Sequence, residues 1–176
     1  PSSQYDFRNP KVDALGDFLG EEEGYPTAAI NRYLKPNNTT LFLIKPNWAG
    51  IIQSEFEKDY GMGLFLTTDY DSTSRQLEIV VNLAPEKTQN NPDIRLTMLI
   101  AQDSIVDAQI DNGPTVASYM HRHVVRDVIT KSDGDGITES LTAGALVTKT
   151  YTYTIPADWV AKKCSVIAYV HHGSTP

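Results

Sequence analysis

The stretch Leu77-Glu78-Ile79-Val80-Val81-Asn82-Leu83 decides the fold of most of this chain. Its aliphatic residues at 77, 79, 81 and 83 recur at every second position, which is typical of a strand with one buried face. The same period returns in Ile94–Ile100, Val147–Ile155 and Cys164–Val170, with turn-rich segments between. Several such strands without intervening helices favour two packed antiparallel sheets. We therefore predict that residues 61–176 form an antiparallel two-sheet β-sandwich.

Residues 1–60 follow a different pattern, in the order helix, strand, strand, helix. Asn9-Pro10 is a helix start, because Asn caps free amides and Pro fits the first helical turn. Strands are predicted at Tyr25–Arg32 and Leu41–Ile44, followed by a second helix. That helix has one apolar stripe with Glu55 outside it; the stripe consists of Trp48, Ile51, Ile52, Phe56 and Tyr60. The predicted fold class of the chain is α+β.

The proline in Tyr25-Pro26-Thr27 opens the first of these strands. With the helix-strand-strand-helix order, it resembles the C-terminal part of a thioredoxin-like domain. The resemblance implies a cis peptide bond before Pro26, whereas an ordinary trans proline is the alternative, since only about 5–6% of such bonds are cis. It also implies an incomplete sheet, so we expect residues 1–60 to pack on the sandwich or to pair with a second chain.

Composition excludes several classes of function. The net charge of −7 comes from 15 basic and 22 acidic residues without a basic cluster, which argues against a nucleic-acid partner. No apolar run approaches the ~20 residues that span a bilayer. The only cysteine, Cys164, cannot form an internal disulfide. It shares its face with Val166 and Ala168, which favours a core residue over a nucleophile.

The stretch Tyr119–Arg126 is predicted as one strand, which places His121 and His123 on the same face. Two such histidines are candidate metal ligands, but a zinc site needs a third protein ligand, and local hydrogen bonding is the alternative. Ser132–Gly136 resembles half of a calcium loop, and a glycine-rich turn explains the same residues. We find no sequence motif for a catalytic residue or a cofactor.

Five segments carry a resemblance to a known family; they are residues 24–32, 99–103, 119–126, 155–159 and 164–170. Together and in this order they are similar to the twenty-eight-kilodalton outer-membrane lipoproteins of Bacteroidetes. The resemblance implies a thioredoxin-like segment (1–60) followed by a β-sandwich (61–176), a surface location, and a role as adhesin or receptor without an established reaction. It also implies a lipid anchor on the parent protein. This sequence lacks the anchor cysteine, so we expect the fragment itself to be soluble.

The sequence is compatible with three functions. The leading hypothesis is a non-enzymatic, surface-exposed binding module without cofactors, whose partners are host or cell-surface macromolecules and whose incomplete N-terminal sheet forms a homodimer. Its loops 111–117 and 131–136 are the first candidate contact surfaces. The alternative is an envelope thiol-disulfide redox protein whose reactive half lies outside this sequence. A third is a metal- or sugar-binding sandwich that uses His121 and His123 or exposed tyrosines.

Overall fold

The computed structural model describes residues 3–20, 24–36, 40–110 and 113–173 of this α+β protein. Its helices are α1 (Pro10–Leu19) and α2 (Trp48–Phe56), with short 3₁₀ turns at Lys45–Asn47 and Ala161–Lys163. The strands are β1 (Thr27–Ala29), β2 (Phe42–Ile44), β3 (Met62–Asp71), β4 (Gln76–Pro85), β5 (Ile94–Gln102), β6 (Ile105–Ile110), β7 (Thr115–His121), β8 (Val124–Val128), β9 (Asp135–Gly136), β10 (Val147–Thr154) and β11 (Cys164–His172). The first two residues of the predicted 111–117 loop lie outside the described residues, and its last three belong to β7.

Two antiparallel sheets form the body of the molecule. One has the strand order β10-β4-β3, and the other has the order β11-β5-β8, with β9 also paired to β5. The alternating aliphatic residues meet between the sheets, where Ile79, Val81, Leu96 and Met98 are fully buried. Tyr151 and Tyr153 pack on the same core. The period-two pattern thus predicted the core correctly.

Strand β5 is buried on both faces because helix α1 covers the outside of its sheet. Leu15 of α1 packs with Leu99 and Val128 in a second apolar cluster. Asn9 caps the helix as predicted, since its side chain accepts a hydrogen bond from the Lys11 amide, and the helix ends before Gly20. The start of the chain therefore packs on the sandwich. The division between residues 60 and 61 stays a prediction.

The elements β1, β2 and α2 form a small unit beside this sandwich. Strands β1 and β2 pair antiparallel, with Ala28 opposite Leu43. The Tyr25–Pro26 peptide bond is cis. Strand β1 ends earlier than predicted, because the chain turns at Asn31 and Arg32, which have positive φ angles of 49° and 52°. Strand β2 begins one residue later than predicted.

The predicted orientation of α2 is wrong. Ile52 and Phe56 of its apolar stripe are 53% and 86% exposed, whereas Glu55, placed outside the stripe, is only 7% exposed. The Glu55 carboxylate accepts hydrogen bonds from Lys58, Tyr60 and Asn31, and the Lys58 contact is the main reason that its pKa is lowered. A carboxylate with three donors tolerates burial. Ile52 and Phe56 therefore face outward, and none of the described residues covers them, whereas Trp48 and Ile51 of the same stripe are half-buried.

Candidate binding surface on the β6–β7 arm

Strands β6 and β7 leave the sandwich together as a two-stranded arm (residues 105–121). The ladder between β5 and β8 ends at the pair Gln102 and Val124. Pairing resumes in the arm, where Ile105 lies opposite His121. Between the two ladders the backbone kinks twice. One kink is at Ser104, between β5 and β6, with φ of 58°, and the other is at His123, between β7 and β8, with φ of 52°. Because both residues have left-handed backbone, the two strands change direction at the same distance along the ladder.

The prediction of a single strand over residues 119–126 is therefore wrong. His121 ends β7, whereas His123 lies in the kink with its side chain 80% exposed. Its Nδ1 atom lies 3.6 Å from the Asp103 carboxylate. The two histidines do not share a strand face, because the left-handed backbone at His123 interrupts the alternation of side chains along the strand. In the described ranges, no three His, Cys, Asp or Glu side chains form a group suited to a metal ion.

The arm exposes most of its side chains, including large apolar ones. All of Thr115–Met120 is exposed. The exposed apolar side chains are Val106, Ile110, Val116, Tyr119 and Met120, at 40% to 69% exposure. Within the described residues the two strands pair only with each other. Exposed apolar side chains on a two-stranded extension make the arm a candidate interaction surface.

Asp107 ties the beginning of the chain to the arm. Its side chain is 2% exposed, and its carboxylate accepts hydrogen bonds from Ser3 Oγ at 2.6 Å and from the amides of Gln4 and Tyr5 at 2.8 and 3.0 Å. These donors, led by the Ser3 hydroxyl, hold the pKa of the carboxylic acid well below its ordinary value. The inner face of the arm is thereby covered by residues 3–5.

A stack of aromatic and cationic side chains supports the base of the arm. The Arg126 guanidinium lies 4.5 Å from the ring centroid of Trp159 and 5.9 Å from that of Phe7. Phe7 in turn contacts His121, whose ring also meets the edge of Tyr119. Arg126 donates to Gln102 at 2.8 Å. This stack links β8, the loop before β11, the first residues and the arm, so it fixes the direction in which the arm points.

A cleft of about 390 Å³ lies along β7, lined by Gln109, Tyr119, Met120, His121, Arg122 and Val124. The Nε2 atom of His121 is buried and has no hydrogen-bond partner among the described residues. Such an atom in a native structure needs an explanation, because an unmade bond costs free energy. The arm therefore combines apolar surface with one unsatisfied polar atom.

A second polar cluster joins the β1–β2–α2 unit to the end of β11. His171 is 7% exposed, and its Nδ1 atom contacts the Arg32 guanidinium while its Nε2 atom lies 2.9 Å from Thr97 Oγ1. Burial, and secondarily the Arg32 charge, lowers the pKa of His171 to about 4. Gly134, with φ of 84°, passes so closely that a Cβ atom would lie 2.8 Å from the imidazole. The cluster is closely packed, which indicates a structural role.

The other candidate residues have structural partners. Cys164 packs against the core, and burial raises the pKa of its thiol. In the Ser132–Gly136 turn, Asp133 pairs with Arg95 at 2.8 Å, and Asp135 accepts from the Lys131 amide at 3.3 Å. Burial raises the pKa of Tyr151 to about 12. Sequence reasoning missed Asp107 and Phe7, because nothing local in the sequence shows that residues about a hundred positions apart meet.

Comparison with known proteins agrees with the family resemblance. Residues 19–175 match the family model of outer membrane protein Omp28. The structure is similar to HBP35 of Porphyromonas gingivalis, with a TM-score of 0.75 and 18% identity, over 95% of this chain and 52% of that one. At this identity the likeness shows a shared fold, and the chain spans about half the length of that neighbour. No curated protein matches the sequence.

None of the helices in the described ranges has the length and apolar character needed to cross a bilayer.

Proposed function

Because this chain belongs to the Omp28 family of outer membrane proteins, we propose that it is a non-enzymatic binding module that acts as an adhesin or receptor at the cell surface. Its partners are host or cell-surface macromolecules, and the β6–β7 arm is the contact surface. A lipid anchor on the parent protein holds the module at the membrane in this proposal. The observation that supports the proposal most strongly is the arm itself.

Three properties of the arm support binding rather than catalysis. It presents exposed apolar side chains such as Ile110, at 69% exposure, on a two-stranded ladder. It is held by the Arg126 stack, so the surface is preorganised and loses little entropy when a partner binds. The buried Asp107 carboxylate is occupied by donors from Ser3, Gln4 and Tyr5, so it is not placed to act as a base.

The test is binding of the labelled protein to an array of immobilised extracellular-matrix proteins and to epithelial cells. Ile110→Ser removes exposed apolar surface from the arm, and Leu146→Ser removes it elsewhere, at the similar exposure of 66%. We expect Ile110→Ser to weaken saturable binding several-fold and Leu146→Ser to leave it unchanged. Equal affinities for wild type and both variants on every surface would exclude the arm as the contact site.

The alternative function is an envelope thiol-disulfide redox protein, in which the β1–β2–α2 unit belongs to a thioredoxin-like domain. The exposed apolar residues of α2, Ile52 and Phe56, support this reading. It requires a reactive dithiol, and these 176 residues contain one cysteine. An insulin-reduction assay on the parent protein distinguishes the two, because turnover that depends on a cysteine pair is expected of a redox protein only.

A further inference from the structure

The outer edge of β7 lies within the cleft of the arm. The cleft is lined by Tyr119, Met120 and His121 in succession. Because consecutive residues of a strand point to opposite faces, a cleft that contacts all three extends around the edge of the strand. That edge has no strand partner among the described residues, since β7 pairs only with β6. A ligand in this cleft therefore meets the main chain of β7 as well as its side chains.

Arg122 gives the cleft its charge. It is exposed at the base of the arm and makes no ion pair or hydrogen bond with the residues that the structure describes. The other arginine nearby, Arg126, is committed to the stack and to Gln102. Arg122 is the only charged side chain in the cleft lining. The cleft is thus complementary to a carboxylate.

His121 adds a second polar group beside Arg122. Its Nε2 atom is buried without a partner in the described ranges, while its ring is held by Phe7 and Tyr119. A fixed imidazole nitrogen either donates to a carboxylate or accepts from a main-chain amide. The imidazole is therefore a fixed polar group in the lining of the cleft.

We propose that the free edge of β7 binds an extended polypeptide segment, and that an acidic side chain of that segment pairs with Arg122 beside His121. The segment adds to the arm as a third strand, so main-chain hydrogen bonds supply affinity and the carboxylate fixes register. Strand β7 has 7 residues, which is the length of the segment that it accommodates. This inference rests on the proposed function and names its partner class.

A second copy of this chain fits the edge less well. The residues of β7 are Thr115-Val116-Ala117-Ser118-Tyr119-Met120-His121, without an acidic side chain. Pairing of β7 with the β7 strand of another copy therefore brings no carboxylate of that strand to Arg122. An acidic partner supplies what the arm lacks.

The experiment uses a fluorescein-labelled heptapeptide, Thr-Val-Thr-Glu-Thr-Val-Thr, and its counterpart with Gln in place of Glu. Binding is followed by fluorescence polarisation, and the β7 amides are followed by hydrogen exchange. We expect the Glu peptide to bind roughly tenfold more tightly than the Gln peptide, which is the lower end for a charge-assisted hydrogen bond. Protection of amides in residues 116–122 should accompany binding, because the segment pairs with the main chain.

Two variants locate the site. Arg122→Gln should bind the Glu and Gln peptides equally, whereas Lys35→Gln, an exposed cation in the segment after β1, should behave as the wild type. Equal affinity of wild type for the two peptides, or binding without protection of the β7 amides, overturns the proposal. Displacement of the Glu peptide by free glutarate at equal affinity also overturns it, since that result indicates a small-acid site.

The outcome separates this inference from the proposed function. If Ile110→Ser abolishes surface binding but neither peptide binds, the arm is a contact surface and the strand-addition proposal is wrong. If the Glu peptide binds as expected but the protein binds no cell or matrix surface, the β7 edge is a peptide site and the adhesin proposal is wrong. A doubled mass of the unliganded protein that persists when the exposed face of α2 is charged by Phe56→Asp, together with protection of the β7 amides at that concentration, would assign the edge to a second copy instead.

Discussion

The amide of His123 donates a hydrogen bond of 2.8 Å to the carboxylate of Asp103, and this bond joins the two kinks at which the arm leaves the sandwich. Asp103 also donates its own amide to the Lys163 carbonyl at 3.0 Å. One residue thus holds the kink of the partner strand and anchors itself to the loop before β11. The direction of the arm depends on this contact.

We predict that Asp103→Ala loosens the arm and Asp103→Asn does not. Alanine removes the acceptor of the His123 amide, whereas asparagine keeps a carbonyl oxygen at the same place. Hydrogen exchange at His123 and in residues 105–121 should speed up in the alanine variant, while β4 and β10 stay protected. Unchanged exchange in Asp103→Ala would show that the kink is held by other contacts.

The Arg126 stack should contribute measurably to stability. Arg126→Met keeps the length of the side chain but removes the charge between Trp159 and Phe7 and the bond to Gln102. We expect a loss of about 2 kcal/mol in the free energy of unfolding, measured in urea. A double-mutant cycle with Trp159→Leu should give a coupling energy of about 1 kcal/mol. Additive effects of the two substitutions would contradict a direct interaction.

The lowered pKa of His171 predicts that the protein loses stability in mild acid. Its pKa is lowered from 6.5 to about 4 in the folded protein, chiefly by burial, and Arg32, Arg95 and His172 lie around it. The unfolded chain therefore takes up a proton at higher pH than the folded chain. Stability should be complete above pH 6.5 and fall as the pH drops towards 4, with a loss of about 2 kcal/mol between pH 7 and pH 5.

The histidine responsible is identified by two variants. His171→Gln should flatten the stability profile between pH 7 and pH 5, because the glutamine has no proton to gain. His123→Gln, on a side chain that is 80% exposed, should leave the slope unchanged. A slope that persists in His171→Gln would assign the acid sensitivity to another group.

The outward stripe of α2 predicts self-association through the β1–β2–α2 unit. Phe56, Ile52 and Ile44 are 86%, 53% and 49% exposed. Burial of one such side chain contributes about 1.5–3 kcal/mol. We expect light scattering to show a homodimer at micromolar concentration that Phe56→Asp disrupts, with Leu146→Ser as the matched control. A monomeric wild type across the concentration range would exclude this dimer.

Much of the fold could be predicted from the sequence, because the dominant signal was local. The alternation at Leu77–Leu83 and Ile94–Ile100 predicted the inner faces of β4 and β5, and Asn9-Pro10 predicted the start of α1. The kink at His123 could not be predicted, because few histidines adopt left-handed backbone and the contact that holds this one, with Asp103, is not local in sequence. The prediction of the α2 orientation was wrong for another reason. Three donors satisfy the buried Glu55 carboxylate, and the helical periodicity of the sequence does not indicate such contacts.

The candidate site was only partly accessible from the sequence. The resemblance brought out residues 119–126 and Trp159, but not that Arg126 lies between Trp159 and Phe7. Asp107 showed no signal, since its partners are main-chain amides near the other end of the chain. The arm is held by contacts between residues that are distant in sequence, and the fold brings those residues together.

The central claim, that the arm is the binding surface, is tested most directly by shortening it. Replacing residues 109–117 with Asn-Gly closes the hairpin early and keeps the contacts of Asp107 with Ser3 and of His121 with Phe7. We expect this variant to keep the melting temperature of the sandwich and to lose saturable binding to cells or matrix proteins. Retention of wild-type affinity by the shortened protein would contradict the account.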